Sequence, residues 1–283
     1  MAGLAQLKKR LRSIELSGQL AGALKTVSSA KYARLSHGFA AERVRSDKLE
    51  RLAALCGGND EREFVSEDAR DCVVVIGHGK GFCGGYNAEL HAFAETVLQR
   101  HPGAYTLVCG KKAIAYFEDK RLPVCERFLL PELPAMEVCR PLIERAAELY
   151  DEGKVLSVRL VYQSFVNSLT QTPVERVVLP LAPAQESGGG EDVLWIPDRA
   201  TVARGLRRKI YEAQFFRAIL EGALSAQAST LNAMRTAYDN ALDASEKLRI
   251  QINKTRQSAV TAGVLEVSSG AAMDQEDENG GWK

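Results

Sequence analysis

Between Asp198 and Ala272 the chain runs for more than seventy residues without a proline, in helical period throughout, and residues 4 to 55 read as a second long helix. At about 1.5 Å per residue the C-terminal helix would extend roughly 110 Å, whereas an ordinary globular helix has about 11 to 12 residues. A helix of that length does not fit inside a compact domain. Its seam supports the reading. Leu231, Met234, Tyr238, Ala241, Ser245, Leu248, Ile252, Thr255, Ala259 and Ala262 keep an unbroken three-four spacing in which only Ser245 and Thr255 are not apolar. Sustained heptads predict a coiled coil.

The N-terminal helix carries Leu4, Leu7, Leu11 and Ile14 at the same spacing, followed by a shifted stripe at Leu20, Leu24 and Val27. Each stripe is narrow, so neither helix is stable alone. A chain that leaves one helix, folds a domain and returns through the other buries both seams by antiparallel pairing. The many small seam residues (Ala21, Ala23, Ser28, Ala30, Ala241, Ala259, Ala262) would let the helices approach closely and keep the rod thin. The alternative, two helices of a large bundle, is disfavoured by the absence of internal caps.

With 283 residues, 46% of them hydrophobic and 26% charged, the chain can build one sizeable core besides the long helices. No run of about 18 apolar residues occurs, so no membrane span is expected. Lys8, Lys9, Arg10 and Arg12 lie in a helical pattern that lacks the apolar stretch of a signal peptide, and the early helix start leaves no room for a transit peptide. The six cysteines (Cys56, Cys72, Cys83, Cys109, Cys125, Cys139) lie far apart, with no CxxC and no Cys/His pairing at zinc spacing. They read as buried free thiols, and no metal site is expected.

The overall charge of +1 hides a partition. Residues 1 to 51 hold eleven Lys and Arg against Glu15, Glu42, Asp47 and Glu50, a net +7. Such a helix suits nucleic acid, acidic lipid or an acidic protein surface, or is simply a solvated face. The basic residues are not interleaved with aromatics and no DNA-binding motif is present, which argues against nucleic acid.

In the middle of the chain the period changes. Gly57, Gly58, Asn59 and Asp60 open a polar linker, and Cys72-Val73-Val74-Val75-Ile76 reads as a buried strand. Helical stretches at 85–100, 111–119 and 135–151 alternate with strands at Tyr105 to Cys109 and Val124 to Phe128, which predicts a mostly parallel sheet with helices on its faces. Residues 155–166 and 174–179 then read as a hairpin around a Thr172-Pro173 turn, and 181–192 as a loop. The fold class expected is α/β: a long antiparallel coiled coil of N- and C-terminal helices plus a small Rossmann-like α/β domain. The expected divisions are 1–57 (N-terminal shaft helix), 58–192 (α/β domain), 193–273 (C-terminal shaft helix) and 274–283 (acidic disordered tail).

The sharpest local motif is the run Gly77 to Asn87, in which Gly79, Gly81 and Gly84 satisfy GxGxxG between a strand and a helix. In a dinucleotide-binding domain such glycines bring a pyrophosphate to the helix N-terminus. The acidic residue expected after the next strand is absent; Cys109-Gly110-Lys111-Lys112 stands there and would suit a 2′-phosphate. No GxxxxGK[ST] occurs. No acid, base or nucleophile constellation accompanies the loop, so the favoured reading gives Gly81, Gly84 and Gly85 a structural role in a tight strand-to-helix connection.

Several ordered blocks then make the chain resemble, nearly end to end, the γ subunit of F-type ATP synthases. Arg12-Ser13-Ile14, Ala23-Leu24-Lys25 and Val27-Ser28-Ser29-Ala30-Lys31 look like the family's first shaft helix, and Gly81-Phe82-Cys83-Gly84-Gly85-Tyr86-Asn87 is similar to its GLCGGLN block. Phe165-Val166-Asn167-Ser168-Leu169-Thr170-Gln171 and Arg217-Ala218-Ile219-Leu220-Glu221 also match. The most specific block runs from Asn253-Lys254-Thr255-Arg256-Gln257-Ser258-Ala259-Val260-Thr261 to Gly270-Ala271-Ala272. Departures are Gly263 for a glutamate, Thr230 for an arginine, Ile252 for a tyrosine and Leu16-Ser17 for an Asn-Thr pair. They suggest a divergent bacterial member. Gly263 should weaken the last turns by about 1 kcal/mol relative to alanine.

The resemblance implies a non-catalytic rotor without cofactor. Its partners would be the α and β subunits of an α3β3 ring, the ε subunit and the c-ring, at the cytoplasmic face of a bacterial membrane that it touches only through the complex. Arg256 and Gln257, carried over from the family's RQ pair, would bind a catch loop of one β subunit, the arginine in bidentate fashion. Lys8, Lys9, Arg10, Lys25 and Lys31 would face the acidic lever of β, and Leu24 stands where the family has a methionine. Asp274, Glu276, Asp277 and Glu278 lie beyond the family pattern in a tail whose composition predicts disorder. No cysteine follows Cys139, so the redox regulation of chloroplast relatives is not expected. Two other classes compete: an NADP-dependent enzyme with a coiled-coil dimerisation arm, and a basic coiled-coil adaptor for nucleic acid.

Overall fold

The computed structural model describes residues 2–56, 65–78, 81–181, 196 and 198–279, and side chains within these except at 2, 53–56, 199–200 and 266–279. The elements in order are α1 (Ala2–Cys56), β1 (Arg70–Ile76), α2 (Tyr86–Arg100), β2 (Tyr105–Cys109), α3 (Lys111–Asp119), β3 (Glu126–Phe128), α4 (Met136–Asp151), β4 (Val155–Phe165), β5 (Gln171–Leu179) and α5 (Arg199–Asn279). Two compact units result: Met1–Leu24 with Met234–Lys283, and Lys25–Ala233.

The larger unit is built on a five-stranded sheet in the order β3-β2-β1-β4-β5. β1 runs parallel to β2 and β4, β2 is parallel to β3, and β5 closes the edge antiparallel to β4. β1 is covered on both faces, which is why its sequence is a continuous apolar run without alternation. Val73 and Val75 meet Leu90, Ala94 and Val97 of α2 and Ala113 and Phe117 of α3. Cys72, Val74 and Ile76 point the other way, into Leu142, Ile143, Ala146 and Leu149 of α4 and Tyr211, Phe215, Ile219 and Ala223 of α5. One stretch of the long C-terminal helix is therefore a core layer of the α/β unit. Within the same unit α5 also meets α1 in antiparallel register, with Arg217 Nη1 3.1 Å from Asp47 and Gln214 Nε2 2.9 Å from Glu50.

The hairpin turn lies elsewhere than expected. Thr172 and Pro173 belong to β5, paired with Ser164 and Gln163. The reversal is made by 166–170, where Asn167 Oδ1 accepts from the backbone N–H groups of Leu169 (2.8 Å) and Thr170 (2.9 Å). An asparagine side chain that mimics a backbone turn is enough to reverse the chain, and proline is tolerated in β5 because it is an edge strand. Of the cysteines with described side chains, none is in a disulfide; Cys72, Cys83, Cys109 and Cys139 are buried as expected, while Cys125 is exposed. It sits just before the short outer strand β3, where no helix covers it.

In the smaller unit α1 and α5 pair antiparallel: Gly18 faces Ala241, Gly22 faces Tyr238, and Arg249 Nη2 lies 2.7 Å from Glu15. Met234, Ser245 and Leu248 are buried and Tyr238, Ala241, Ile252 and Thr255 half-buried, as the spacing predicts. Ala259 and Ala262 are exposed, because in this register the described part of α1 ends before their level. The shift of stripe on α1 does not occur. Leu20 and Val27 are 58% and 47% exposed, whereas the three-four spacing continues through Gly18 and Ala21, and in the larger unit through Lys25, Ser28, Tyr32 and Leu35. Ala23 and Ala30 also face out. Small residues hold the seam because the helices are close: a Cβ at Gly18 would be 3.1 Å from Ala241 Cβ, and one at Gly22 3.2 Å from the Tyr238 ring.

α5 stays helical past the expected boundary at 273, through Asn279, in a stretch rich in helix formers and free of proline. The side chains of that stretch and residues 280–283 lie outside the described residues.

Gly110, between β2 and α3, has φ +91, and a Cβ there would fall 2.2 Å from the carbonyl oxygen of Gly77. Both atoms are fixed, since the Gly77 N–H bonds Cys109 O at 3.0 Å and the Gly110 N–H bonds Phe128 O at 2.9 Å. At Gly103 (φ +76) the nearest atoms a Cβ would meet belong to the flexible Arg70 side chain. Gly110→Ala should therefore destabilise the chain by about 3 kcal/mol or more, and Gly103→Ala by about 1 to 2. Urea unfolding of the two variants measures this, and equal losses would contradict the backbone-contact argument.

Candidate functional site

Two regions could carry function: the glycine loop between β1 and α2, and the outer surface of the helix pair. Gly79 and Lys80 of the loop lie outside the described residues. Of the three glycines expected to build the turn, Gly84 takes φ +56 and so uses the freedom of glycine. Gly81 has open space around it, and Gly85 is the N-cap of α2 at φ −76. Phe82 also has positive φ, at +60, and its side chain is exposed.

In open α/β sheets nucleotides bind outside the carboxyl ends of the strands, where the strand order reverses. In this sheet that place lies between β1 and β4, and α5 fills it. Glu221, buried, accepts hydrogen bonds from Ser164 Oγ (2.5 Å), the Phe165 N–H (3.0 Å) and Tyr162 OH (3.3 Å). Tyr86 OH donates to the Gly222 carbonyl (3.1 Å) and Ser229 Oγ to the Cys83 carbonyl (2.7 Å), which fastens the glycine loop to the helix. What remains under the loop has room for about one water molecule. The shallow groove beside it, lined by Gly85, Glu89, Gln163 and Thr170 among others, has Glu89 as its charged group, the wrong sign for a phosphate. Lys111 and Lys112 are exposed at the start of α3. Among the described residues the loop fastens α5, and that helix occupies the strand-end crevice in which a dinucleotide would lie.

Sequence reasoning did not single out the Glu221 anchor. Its signal was available: one carboxylate inside the apolar run Ala218 to Leu224 must find donors if it is buried.

On the helix pair Lys8, Lys9 and Arg10 are exposed, and Leu24 and Lys25 are half-buried. Lys31 is engaged by Glu132 of the α/β unit. Arg256 and Gln257 are exposed, one turn beyond the half-buried Ile252. Lys8, Lys9, Arg10, Leu24, Arg256 and Gln257 belong to the smaller unit, and Lys25 and Lys31 to the larger. Large apolar side chains outside the seam also face outward: Leu16 and Leu20 on α1, and Leu242, Ile250, Val260, Val264 and Leu265 on α5. Their sequence signal is an apolar residue out of three-four register, and in such number they mark a surface for protein contact. Among the described residues no helix is long and apolar enough to cross a membrane, and no cluster could hold a metal ion.

The family model described as ATP synthase matches residues 3–273. The ATP synthase gamma chain of Heliobacterium modesticaldum is 31% identical over 288 residues, covering 96% of this chain and 99% of that one. This chain belongs to the ATP synthase γ-chain family. The gamma chain of Polynucleobacter asymbioticus is 26% identical, again over 96% of this chain and 99% of its own length. Among solved structures, a chain of the Euglena gracilis mitochondrial ATP synthase, in an assembly of OSCP, F1 and c-ring, has the same fold: TM-score 0.70, 17% identity, covering 100% of this chain and 98% of that chain. A second Euglena gracilis chain, from the rotor, gives a TM-score of 0.64 over 92% of this chain and 99% of its own.

Burial pulls the His78 imidazole down to about 4, against a backbone hydrogen bond at Ile219 that favours protonation. In the unfolded chain it protonates near 6.5. Between those values the unfolded state takes up the proton that the folded state refuses, so stability falls as pH drops from about 6.5 towards 4. The loss attributable to His78 is roughly 3 kcal/mol at most. Burial lowers His91 with the same sign. In urea unfolding across this range, His78→Gln should show a shallower slope than wild type; an identical slope would contradict the assignment.

Proposed function

We propose that this chain is the central-stalk rotor subunit of a membrane ion-translocating F-type ATP synthase, coupling c-ring rotation to ATP synthesis or hydrolysis at β subunits. The observation that carries the reading is the family match over nearly the whole chain together with the exposed apolar and basic surface of the helix pair. A partner must cover that surface, and a ring of α and β subunits turning about the pair would do so. Contacts with the ring differ around an asymmetric helix pair, so each β site meets a different surface and shifts its conformational equilibrium accordingly. The chain itself performs no chemistry on ATP in this reading; that belongs to the β subunits.

Arg256 and Gln257 are the residues we assign to the catch on one β subunit. Both are exposed in the isolated chain and available for a charge-assisted contact. Lys8, Lys9, Arg10, Leu24 and Lys25 would contribute further ring contacts, and Lys31 would do so from its pairing with Glu132. The ε subunit and the c-ring complete the set of partners. The subunit would be peripheral, at the cytoplasmic face of a bacterial membrane, held there by the complex.

Native mass spectrometry of the chain co-expressed with its own α and β subunits should give one copy per three α and three β. Arg256→Ala/Gln257→Ala should keep the stoichiometry and lower ATPase activity by roughly tenfold or more, the scale of truncating a buried charged contact. A folded chain that stays apart from α and β would overturn the rotor reading. Unchanged ATPase in the double variant would remove the catch assignment alone. Deleting residues 274–283 should leave ATP turnover nearly unchanged in the same complex, and a large loss of assembly would give the tail a role in the bearing.

A further inference from the structure

The space left under the glycine loop has an uneven chemistry. His78, which follows β1, is buried, and so is Gln227 of α5, at 6% and 4% exposure; both line the same small cavity with Cys83, Tyr86 and Thr230. The His78 ring hydrogen-bonds the backbone of Ile219, and its Nε2 has no partner among the described residues. The bond to Ile219 is therefore made through Nδ1, which carries the proton and donates to the carbonyl. A neutral imidazole protonated at Nδ1 leaves Nε2 as an acceptor. Gln227 Oε1, an acceptor too, is likewise buried without a partner. The hydroxyls that line the cavity offer neither of them a proton: Tyr86 OH donates to Gly222 O (3.1 Å) and Thr230 Oγ1 to Ala226 O (2.8 Å). Glycine at 222 keeps the approach to the imidazole open, because a Cβ there would stand 3.1 Å from Nε2.

Two acceptors cannot satisfy each other, and leaving both unpaired in a dry interior is costly. We propose that this cavity is a binding site for one water molecule, which donates one hydrogen to His78 Nε2 and the other to Gln227 Oε1. The cavity has the room for one such molecule. The water ties the carboxyl end of β1 to α5 where the Tyr86 and Ser229 hydrogen bonds already hold the loop, and it adds a contact that depends on a neutral His78. A small cation would also meet two acceptors, but the neutral imidazole and amide give it no compensating charge, and the Glu132 carboxylate at the cavity is engaged by Lys31. Water is the ligand that fits.

The test is a structure of the full chain in its assembled complex, at a resolution that places ordered water, for wild type and Gln227→Leu, with wild type repeated in thallium acetate. A single peak within hydrogen-bond distance of both His78 Nε2 and the Gln227 amide oxygen, unchanged by thallium and lost in Gln227→Leu, is the expected result. Three findings overturn the site: no peak, with the Gln227 amide nitrogen bonded directly to His78; a peak that thallium strengthens, which makes it a cation site; or a peak that persists unchanged in Gln227→Leu.

Discussion

Everything in the α/β unit depends on the burial of α5 against the sheet. β1 is apolar on both faces and must be covered twice; α2 and α3 cover one side, and the other needs α5 beside α4. No loop could do this, because irregular backbone at that depth would leave polar groups unpaired. Once the helix is seated, the crevice at the strand ends is closed and three hydrogen bonds to Glu221 secure the contact. A sheet with the strand order of a nucleotide-binding domain becomes a socket for a helix. The same burial gives the glycine-rich turn its fastening: the Cys83 carbonyl accepts from Ser229 Oγ, and the Tyr86 hydroxyl donates to the Gly222 carbonyl.

Period and length were enough to find both long helices, the parallel strands β1 and β2, and helices α2 to α4 to within a residue or two. The seam of α5 was legible as far as Thr255, because its seam residues are mostly large or aromatic. The seam of α1 was not. The eye follows leucine and valine, whereas the packed positions beyond Ile14 are Gly18, Ala21, Lys25 and Ser28, and the conspicuous Leu20 and Val27 face outward. Spacing alone would have predicted this, had the register been held constant and the side chains ignored. The hairpin turn was misplaced for a similar reason: Thr172-Pro173 is a familiar turn signal, but the hydrogen bonds of Asn167 set the reversal five residues earlier.

The site residues divide by how they could be known. Gly84 follows from the backbone it must adopt. Arg256 and Gln257 do not follow from any geometry in the single chain; they are two exposed polar residues on a helix with many, and only likeness to a family marks them out. Glu221, His78 and Gln227 are the reverse case: His78 and Glu221 lie within sequence motifs that assign them no role, and it is burial that gives all three one. Residues that face a partner are recognised by comparison, and residues that hold the chain's own elements together are recognised by the cost of leaving them unpaired.

The distribution of cysteines has a practical side. Burial pushes the Cys72 and Cys139 thiols up to about 12 and raises Cys109 and Cys83 as well, so at neutral pH these four stay protonated and poorly nucleophilic. Cys125 is the exposed thiol among the cysteines whose side chains are described, and it lies next to β3 at the edge of the sheet. The α/β unit thus carries its own attachment point for a maleimide dye or a bead, beside the edge strand β3. The orientation of this unit could be followed optically without changing a residue of its core.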